Sequence, residues 1–221
     1  MENNVYPFNY PRIKIVDNLD DFIITPFEEP VNAVVWPRRL RGDFNALADR
    51  VPVEKPANGN AVYHFNVQGV EAMASSMQAD EAFAQIQSDM KMFAAHAGLN
   101  PLLRVVQEYS LDYFYNFHAD IQPPDGFGRV FCCYNGETTE YVRNEDAHFL
   151  GEFQNEKDER DLPYPLYEAI PGAKTYRLQL GDLWRFASQH DKVPPFIHRA
   201  VRGEQQRLML FCHKKRDLTP Q

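Results

Sequence analysis

Residues 196–213 read FIHRAVRGEQQRLMLFCH, and this segment decides the fold expected for the chain. Its second half carries apolar side chains at successive positions: Leu208, Met209, Leu210, Phe211 and Cys212. Successive side chains of a strand point to opposite faces, so this run places apolar groups on both faces. Residues 207–213 therefore predict a strand that is buried on both sides.

An arginine lies inside this apolar segment. Residues 203–204 are Gly-Glu and fit a two-residue type II′ hairpin turn, which takes glycine at its first central position. In that register Ala200 pairs with Arg207, and strand parity puts Arg207 on the same face as His198. A guanidinium enclosed in an apolar strand needs an anionic partner, and its planar fork suits a carboxylate. The segment therefore predicts an anion-binding arginine beside His198.

Short strands separated by turns follow residue 102. Runs rich in β-branched, aromatic and aliphatic residues lie at 103–109, 113–117, 129–134, 138–142, 175–180, 183–186, 197–201 and 207–213. This pattern predicts an α+β, mainly β fold, a β-sandwich or jelly roll with helices packed on its outside. Residues 143–165 are charged and poorly patterned, and they predict a loop insertion near the mouth of a site.

The first 101 residues have mixed character, and we expect them to join the core at 102–213 in a single domain of residues 1–221. Residues 12–16 and 31–36 predict strands, and residues 52–60 a loop. Helices are predicted at 43–50, with Asp43 as N-cap, and at 79–96, where apolar residues recur every three or four positions.

Composition favours a soluble, cytoplasmic protein. The sequence has 221 residues, a formal net charge of −8 and three cysteines without a CxxC pair. An acidic chain with scattered basic residues argues against nucleic acid as partner, and no apolar run is long enough for a membrane span. An odd cysteine count argues against a disulfide framework and favours cysteines packed in the core. Oligomeric state is left open.

His118 and Asp120 are the strongest chemical candidates. One residue separates them, so on a strand both side chains point to the same side. With His198 from another strand they would form a 2-His-1-carboxylate set, which leaves open coordination positions on iron(II). His148 and His190 are alternative third ligands in polar, turn-like stretches. The bland alternative is a structural histidine hydrogen-bonded to a nearby aspartate.

The order of these residues resembles that of the iron(II)/2-oxoglutarate-dependent oxygenases. In that family a His-x-Asp pair, a distal histidine and an arginine about ten residues later follow one another, as His118, Asp120, His198 and Arg207 do here. Residues 180–186, LGDLWRF, resemble the turn and strand that commonly precede the distal histidine. The likeness covers about residues 103–213, and it implies that the jelly-roll core is a double-stranded β-helix.

A second likeness extends over most of the chain. The segment VNAVVWPR at residues 31–38, HAD at 118–120, the run from 129 to 141 and HR at 198–199 resemble a family of bacterial proteins of unknown function. This likeness implies common ancestry along the chain and names no substrate.

The oxygenase resemblance implies a dioxygenase that binds iron(II) and uses 2-oxoglutarate and molecular oxygen. The triad of His118, Asp120 and His198 would hold the iron, and Arg207 would bind the distal carboxylate of 2-oxoglutarate. Tyr134 or Arg129 would contact the co-substrate as well. Because these two have opposite parity on one strand, only one is expected to face the site unless a bulge intervenes.

The implied reaction is oxidation of a small molecule, most simply hydroxylation, with desaturation and cyclisation as alternatives. Candidate substrate contacts are Tyr115, Tyr141, Trp184, Arg199 and Arg202. Arginines near the predicted site favour an anionic or amino-acid-like substrate: Arg129, Arg143, Arg199 and Arg202. The spacing from His198 to Arg207 is slightly short, so Arg199 and Arg202 compete with Arg207 as the anchor of 2-oxoglutarate.

Two other functions use the same ligands. A zinc hydrolase would bind its metal through His and Asp and use a bound water as nucleophile. A jelly roll that binds a metal or ligand without catalysis, such as a sensor, would need no chemistry at all. Arg207 separates these from the oxygenase, because a hydrolase needs no co-substrate anchor there.

Overall fold

The computed structural model describes residues 9–51, 61–76, 80–96, 98–109, 112–121, 126–154 and 163–214. These residues form a mixed α+β, mainly β structure with two sheets, as the strand pattern predicted. The predicted loop at 52–60 lies outside the described residues. Among the described residues, no helix is long and apolar enough to cross a bilayer.

Four helices lie in the first half of the described chain. They are α1 (Leu19–Ile24), α2 (Phe44–Arg50), α3 (Val67–Ser76) and α4 (Glu81–Ala94). Asp43 caps α2 as predicted, because its side chain accepts a hydrogen bond from the backbone N–H of Ala46. Asp80 caps α4 in the same way through Phe83.

Thirteen strands are found in the described residues. They are β1 (Ile13–Ile15), β2 (Ala33–Trp36), β3 (Ala61–Phe65), β4 (Leu99–Glu108), β5 (Phe117–His118), β6 (Arg129–Cys133), β7 (Glu140–Val142), β8 (Ala147–Phe153), β9 (Tyr164–Ala169), β10 (Thr175–Arg177), β11 (Leu183–Phe186), β12 (His198–Arg199) and β13 (Arg207–Lys214). Short 3₁₀ turns at Asp112–Tyr115 and Asn144–Asp146 precede β5 and β8.

The strands form a seven-stranded and a six-stranded sheet. The first has the order β1-β2-β11-β6-β13-β4-β3 and the second β10-β7-β12-β5-β9-β8. All the neighbours are antiparallel except β1 and β2. Leaving out the β8–β9 hairpin, the chain from β4 to β7 alternates between the sheets, and so does the chain from β10 to β13.

Two cores separate the structure into layers. In β4, Leu103 and Val105 belong to the cluster that packs against the helices, whereas Val106 belongs to the cluster between the sheets. The helices therefore cover one face of the seven-stranded sheet, and the six-stranded sheet covers the other. The cysteines are free and buried, on β6 and β13, as the composition predicted.

The predicted hairpin between residues 197 and 213 is wrong. β12 pairs with β5 and β7 in one sheet, whereas β13 pairs with β4 and β6 in the other. Gly203 does not take the positive φ that a type II′ turn requires at its first central position. Residues 200–206 instead cross from one sheet to the other.

The predicted loop insertion at residues 143–165 is not a loop in its described part, because β8 and the start of β9 lie within it. Residues 155–162 of this segment lie outside the described residues. Side chains of β8 are mostly exposed, with Phe149 and Leu150 among them, so this strand lacks the alternating burial that identifies a strand in sequence. The predicted strand at 113–117 begins as a 3₁₀ turn. The pattern also missed α1, α3 and β3.

Candidate metal centre

The two histidines come from neighbouring strands of the six-stranded sheet. His118 ends β5 and His198 begins β12, and the two are directly paired in the antiparallel register. Paired residues share one face of a sheet, so both rings point the same way, with centroids 4.7 Å apart. Asp120 follows β5 by two residues and reaches the same side.

One potential ligand atom from each of His118, Asp120 and His198 lies within 4.8 Å of the others. All three side chains are buried, with exposed fractions of 3%, 7% and 8%. His148 and His190, the alternative third ligands, are exposed and lie outside this group. The structure therefore brings together the three residues that the sequence nominated.

Backbone carbonyls orient both imidazoles. His118 Nδ1 lies 2.8 Å from the carbonyl oxygen of Asn116, and His198 Nδ1 lies 3.2 Å from that of Phe196. A carbonyl only accepts hydrogen bonds, so each Nδ1 carries the proton and each Nε2 keeps its lone pair. This second hydrogen bond is the usual means of fixing a metal-binding histidine.

The protonation states suit metal binding. Burial, assisted by the neighbouring His198, lowers the pKa of His118 to about 4, and burial also lowers the pKa of His198. Burial alone would raise the pKa of Asp120, but the positive charge of Arg129 outweighs it and the net shift is downward. Neutral histidines beside an ionised carboxylate are the forms that a cation requires.

Arg129 holds one oxygen of the metal-site carboxylate. Its Nη1 lies 2.6 Å from Asp120 Oδ2. The guanidinium also lies over the ring of Phe211, with Cζ 4.4 Å from the ring centroid. The sequence predicted that either Arg129 or Tyr134 faces the site, and Arg129 does. It forms an ion pair with Asp120, one of the three candidate ligands.

The triad opens into a cavity between the two sheets. Its lining residues are Arg104, Tyr109, Phe114, His118, Asp120, Arg129, Phe131, Thr139, Phe186, His198, Ala200, Arg207, Met209 and Phe211. The ligand set lies on the six-stranded side, and the arginines project from the seven-stranded sheet. Apolar side chains make up much of the wall, which favours exclusion of water from the site.

Arg207 faces the triad across this cavity and is 4% exposed. Its Nη1 donates to the carbonyl oxygen of Glu137 at 3.1 Å, and Cζ lies 5.5 Å from the centroid of the Tyr109 ring. Gly136 takes a positive φ, and a Cβ there would lie 2.9 Å from Arg207 Cγ. In the described part of the chain no carboxylate forms an ion pair with Arg207.

Tyr134, the other predicted co-substrate residue, lies away from the cavity. It is buried on the helix side of the sheet, stacked on Phe44 with ring centroids 5.2 Å apart. Its hydroxyl donates to Asp89 Oδ2 at 2.8 Å, in a buried network with Arg38. The parity argument is therefore confirmed, since Arg129 faces the cavity and Tyr134 faces the opposite way.

The predicted substrate residues do not line the cavity either. Tyr141 and Trp184 are buried in the core between the sheets, with ring centroids 5.6 Å apart. Arg199 is paired with Glu140 at 2.5 Å.

Arg202 and Tyr115 form a contact of their own outside the cavity. Arg202 is exposed and lies over the ring of Tyr115, with Cζ 3.9 Å from the ring centroid. It is also paired with Asp112 at 2.7 Å. Arg143, a further predicted contributor of positive charge, is paired with Asp146 at 2.6 Å. These arginines are neutralised by the chain itself.

Sequence reasoning missed several lining residues, among them Arg104, Tyr109 and Thr139. Arg104 lies within the apolar run LLRVV on β4. A lone arginine inside an apolar strand is the same feature that identified Arg207, so it could have been found. Tyr109 and Thr139 come from segments that connect strands, where no periodicity indicates the direction of a side chain.

A larger cleft of about 470 Å³ runs along β10, away from the triad. Its charged groups already have partners: Arg177 pairs with Glu137, and Glu140 pairs with Arg199 and accepts a hydrogen bond from Thr175. The cleft contains no residue of the triad. The chemistry is therefore assigned to the smaller cavity.

Comparison with known proteins gives no match: neither a protein-family model nor a curated protein is similar to this sequence. The chemistry of the site residues is therefore the guide to function. Two imidazole nitrogens and one carboxylate oxygen fit a divalent transition metal such as iron(II) or zinc and leave coordination positions open.

Replacing Tyr134 by Phe separates the structural role from the binding role. We expect the free energy of unfolding to fall by about 1.5–3 kcal/mol, because a hydrogen bond to the charged Asp89 is lost. We expect binding of 2-oxoglutarate to be unchanged. Urea unfolding and a 2-oxoglutarate titration of the metal-loaded protein measure the two effects. Weaker 2-oxoglutarate binding with unchanged stability would place Tyr134 in the site.

Proposed function

We propose that this protein is an iron(II)/2-oxoglutarate-dependent oxygenase that oxidises, most simply hydroxylates, a small molecule. One observation carries the proposal: a buried His/Asp/His set faces a buried arginine across one cavity, and that arginine has no carboxylate partner in the described chain. A metal and a dicarboxylate that bridges it to Arg207 would satisfy both halves of this arrangement.

The strand order supports the same proposal. Eight strands, β4–β7 and β10–β13, lie in two four-stranded sets, β4-β13-β6-β11 and β5-β12-β7-β10. We take this arrangement as a double-stranded β-helix, with β8 and β9 as an added hairpin. In it the ligands lie on one sheet and the arginines on the other, so the space between the sheets is the site.

Each residue of the site has a distinct role in this proposal. His118 and His198 offer Nε2 to the metal, and Asp120 offers the oxygen that Arg129 does not hold. Arg207 binds the distal carboxylate of 2-oxoglutarate by parallel charge-assisted hydrogen bonds. Iron(II), 2-oxoglutarate and molecular oxygen together supply the oxidising chemistry. The chain orients the reactants and excludes water.

Arg207 also favours this proposal over a zinc hydrolase or a non-catalytic metal site. A hydrolase would use the same three ligands, but it has no need of a buried cation facing them. An uncompensated buried charge is costly and is retained where a bound anion neutralises it. The anion that this geometry suits is one that reaches from the metal to Arg207.

Release of carbon dioxide from 2-oxoglutarate tests the proposal. We expect the iron(II)-loaded protein to decarboxylate 2-oxoglutarate slowly in air, even without a substrate, and the zinc-loaded protein to do so not at all. Asp120→Asn protein treated with iron in the same way is the matched control. Carbon dioxide release at equal rates from wild-type and Asp120→Asn protein would contradict the proposal. Ester or amide hydrolysis by the zinc form alone would support the hydrolase.

A further inference from the structure

Arg104 is the second arginine of the cavity with no acidic partner in the described chain. Its Nε donates to His64 Nε2 at 3.0 Å. A guanidinium only donates, so this His64 nitrogen accepts and the imidazole leaves the charge of Arg104 uncompensated. No carboxylate of the described residues forms an ion pair with Arg104.

Packing holds the Arg104 guanidinium in the cavity. Cζ lies 4.4 Å from the centroid of the Phe211 ring, the same ring that supports Arg129. Because Nε is occupied by His64, the end of the fork formed by Nη1 and Nη2 is left for a ligand.

Arg104 and Arg207 occupy different levels of the same sheet face. Arg207 pairs with Val106, and Arg104 pairs with Met209, so the two arginines are diagonal neighbours across β4 and β13. The Cα atoms of diagonal neighbours are roughly 7–8 Å apart. Arg207 is buried, whereas Arg104 is half-buried and nearer to solvent. The Arg104 guanidinium lies over the ring of Phe211 and that of Arg207 near the ring of Tyr109, so the outer arginine is available to a second ligand.

The charge balance of the cavity points the same way. Among the described residues, three arginines line it against a single carboxylate, Asp120, in a chain whose net charge is −8. A divalent metal adds two positive charges, and 2-oxoglutarate removes two. Two positive charges then remain in a partly enclosed space, where uncompensated charge is costly and attracts anions.

We infer that Arg104 anchors the primary substrate, and that this substrate carries a carboxylate or phosphate group. The inference rests on the proposed function and adds the substrate class to it. The anionic group binds at Nη1 and Nη2 of Arg104, toward solvent, and the rest of the molecule extends to the metal. Phe114 and Phe211 line the space between.

The test uses the iron(II)–2-oxoglutarate protein without oxygen, whose visible charge-transfer band reports on the metal centre. The probes are amino acids and 2-hydroxy acids beside their carboxamides, and phosphomonoesters beside their parent alcohols, at saturating 2-oxoglutarate. We expect a saturable shift of the band with anionic probes of one class and none with their neutral counterparts. Carboxylates and phosphates are distinguished by which set is active.

Variants assign the anion to Arg104. Arg104→Met should weaken probe binding about tenfold or more, and Arg104→Lys by less, since Lys keeps the charge but loses the fork. Arg202→Met, which removes an exposed arginine paired with Asp112, should bind as wild type. All three should keep the affinity for 2-oxoglutarate, which shows that the site is folded.

Three results would overturn the inference while leaving the proposed function intact: equal binding of neutral and anionic probes, unchanged affinity in Arg104→Met, or no effect of any anion on the band. Absence of the band itself in wild-type protein with iron(II) and 2-oxoglutarate would be a different failure. It would remove the proposed function, and the inference with it.

Discussion

Replacing His118 by Ala is expected to reduce iron(II) affinity by more than about a hundredfold and to abolish turnover, because loss of a ligand exceeds the tenfold to hundredfold effect of losing a ligand's supporting hydrogen bond. Removal of His198 should be equally severe. Each imidazole supplies one of three donor groups in a buried site. Among the described residues this group has no fourth member that could replace a lost imidazole. Calorimetric titration with iron(II) without oxygen measures the affinity.

Asp120 needs a gentler substitution. Its carboxylate pairs with the half-buried Arg129, so Asp120→Ala removes this ion pair and leaves a gap, whereas Asp120→Asn preserves the shape of the side chain. Both should lose iron, and Asp120→Asn should do so with the smaller loss of stability. His148→Ala and His190→Ala are the controls and should bind iron as wild type. Full iron affinity in His118→Ala would refute the assignment.

Arg207→Lys is expected to weaken 2-oxoglutarate binding by about ten- to hundredfold, and Arg207→Ala by more. Lysine keeps the charge but cannot form the two parallel hydrogen bonds of the guanidinium fork, and a hydrogen bond to a charged group contributes about 1.5–3 kcal/mol. Iron affinity should change little, since Arg207 lies on the opposite sheet from the ligands. The measurement is a 2-oxoglutarate titration of the iron(II) protein without oxygen.

Two arginines serve as controls for Arg207. Arg199 and Arg202 compete with it by spacing in the sequence, but the structure pairs them with Glu140 and Asp112 outside the cavity. Arg199→Ala and Arg202→Ala should therefore keep 2-oxoglutarate affinity. If either lost it while Arg207→Ala kept it, the anchor would have been assigned to the wrong residue.

The sequence predicted two of the three candidate ligands because the pattern that identifies them lies within three consecutive residues. Residues separated by one position on a strand share a face, so His118 and Asp120 needed only the correct secondary structure around them. The identity of His198 as partner required a long-range pairing that spacing alone does not provide. The polar, turn-like surroundings of His148 and His190, together with the oxygenase resemblance, favoured His198 as the third ligand. The register between β5 and β12 brings it to His118.

Arg207 was predicted to face the site by an incorrect route. A two-residue hairpin would have put it beside His198 in one sheet, but the two residues lie in different sheets and meet across the interior. Local sequence cannot distinguish these cases, because two strands joined by a short link can pair or can cross between layers. Whether the two strands pair or cross depends on their long-range partners. β12 pairs with β5 and β7, whereas β13 pairs with β4 and β6.

The visible spectrum of the protein with iron(II) and 2-oxoglutarate, recorded in the absence of oxygen, tests most directly whether the metal and the co-substrate bind at one centre. We predict a weak metal-to-ligand charge-transfer band in the wild type, because it requires the metal and the co-substrate at one centre. At the same concentrations the band should be absent from Asp120→Asn and strongly reduced in Arg207→Ala. A wild-type protein that shows no band, or a band that persists undiminished in both variants, would contradict the proposed function.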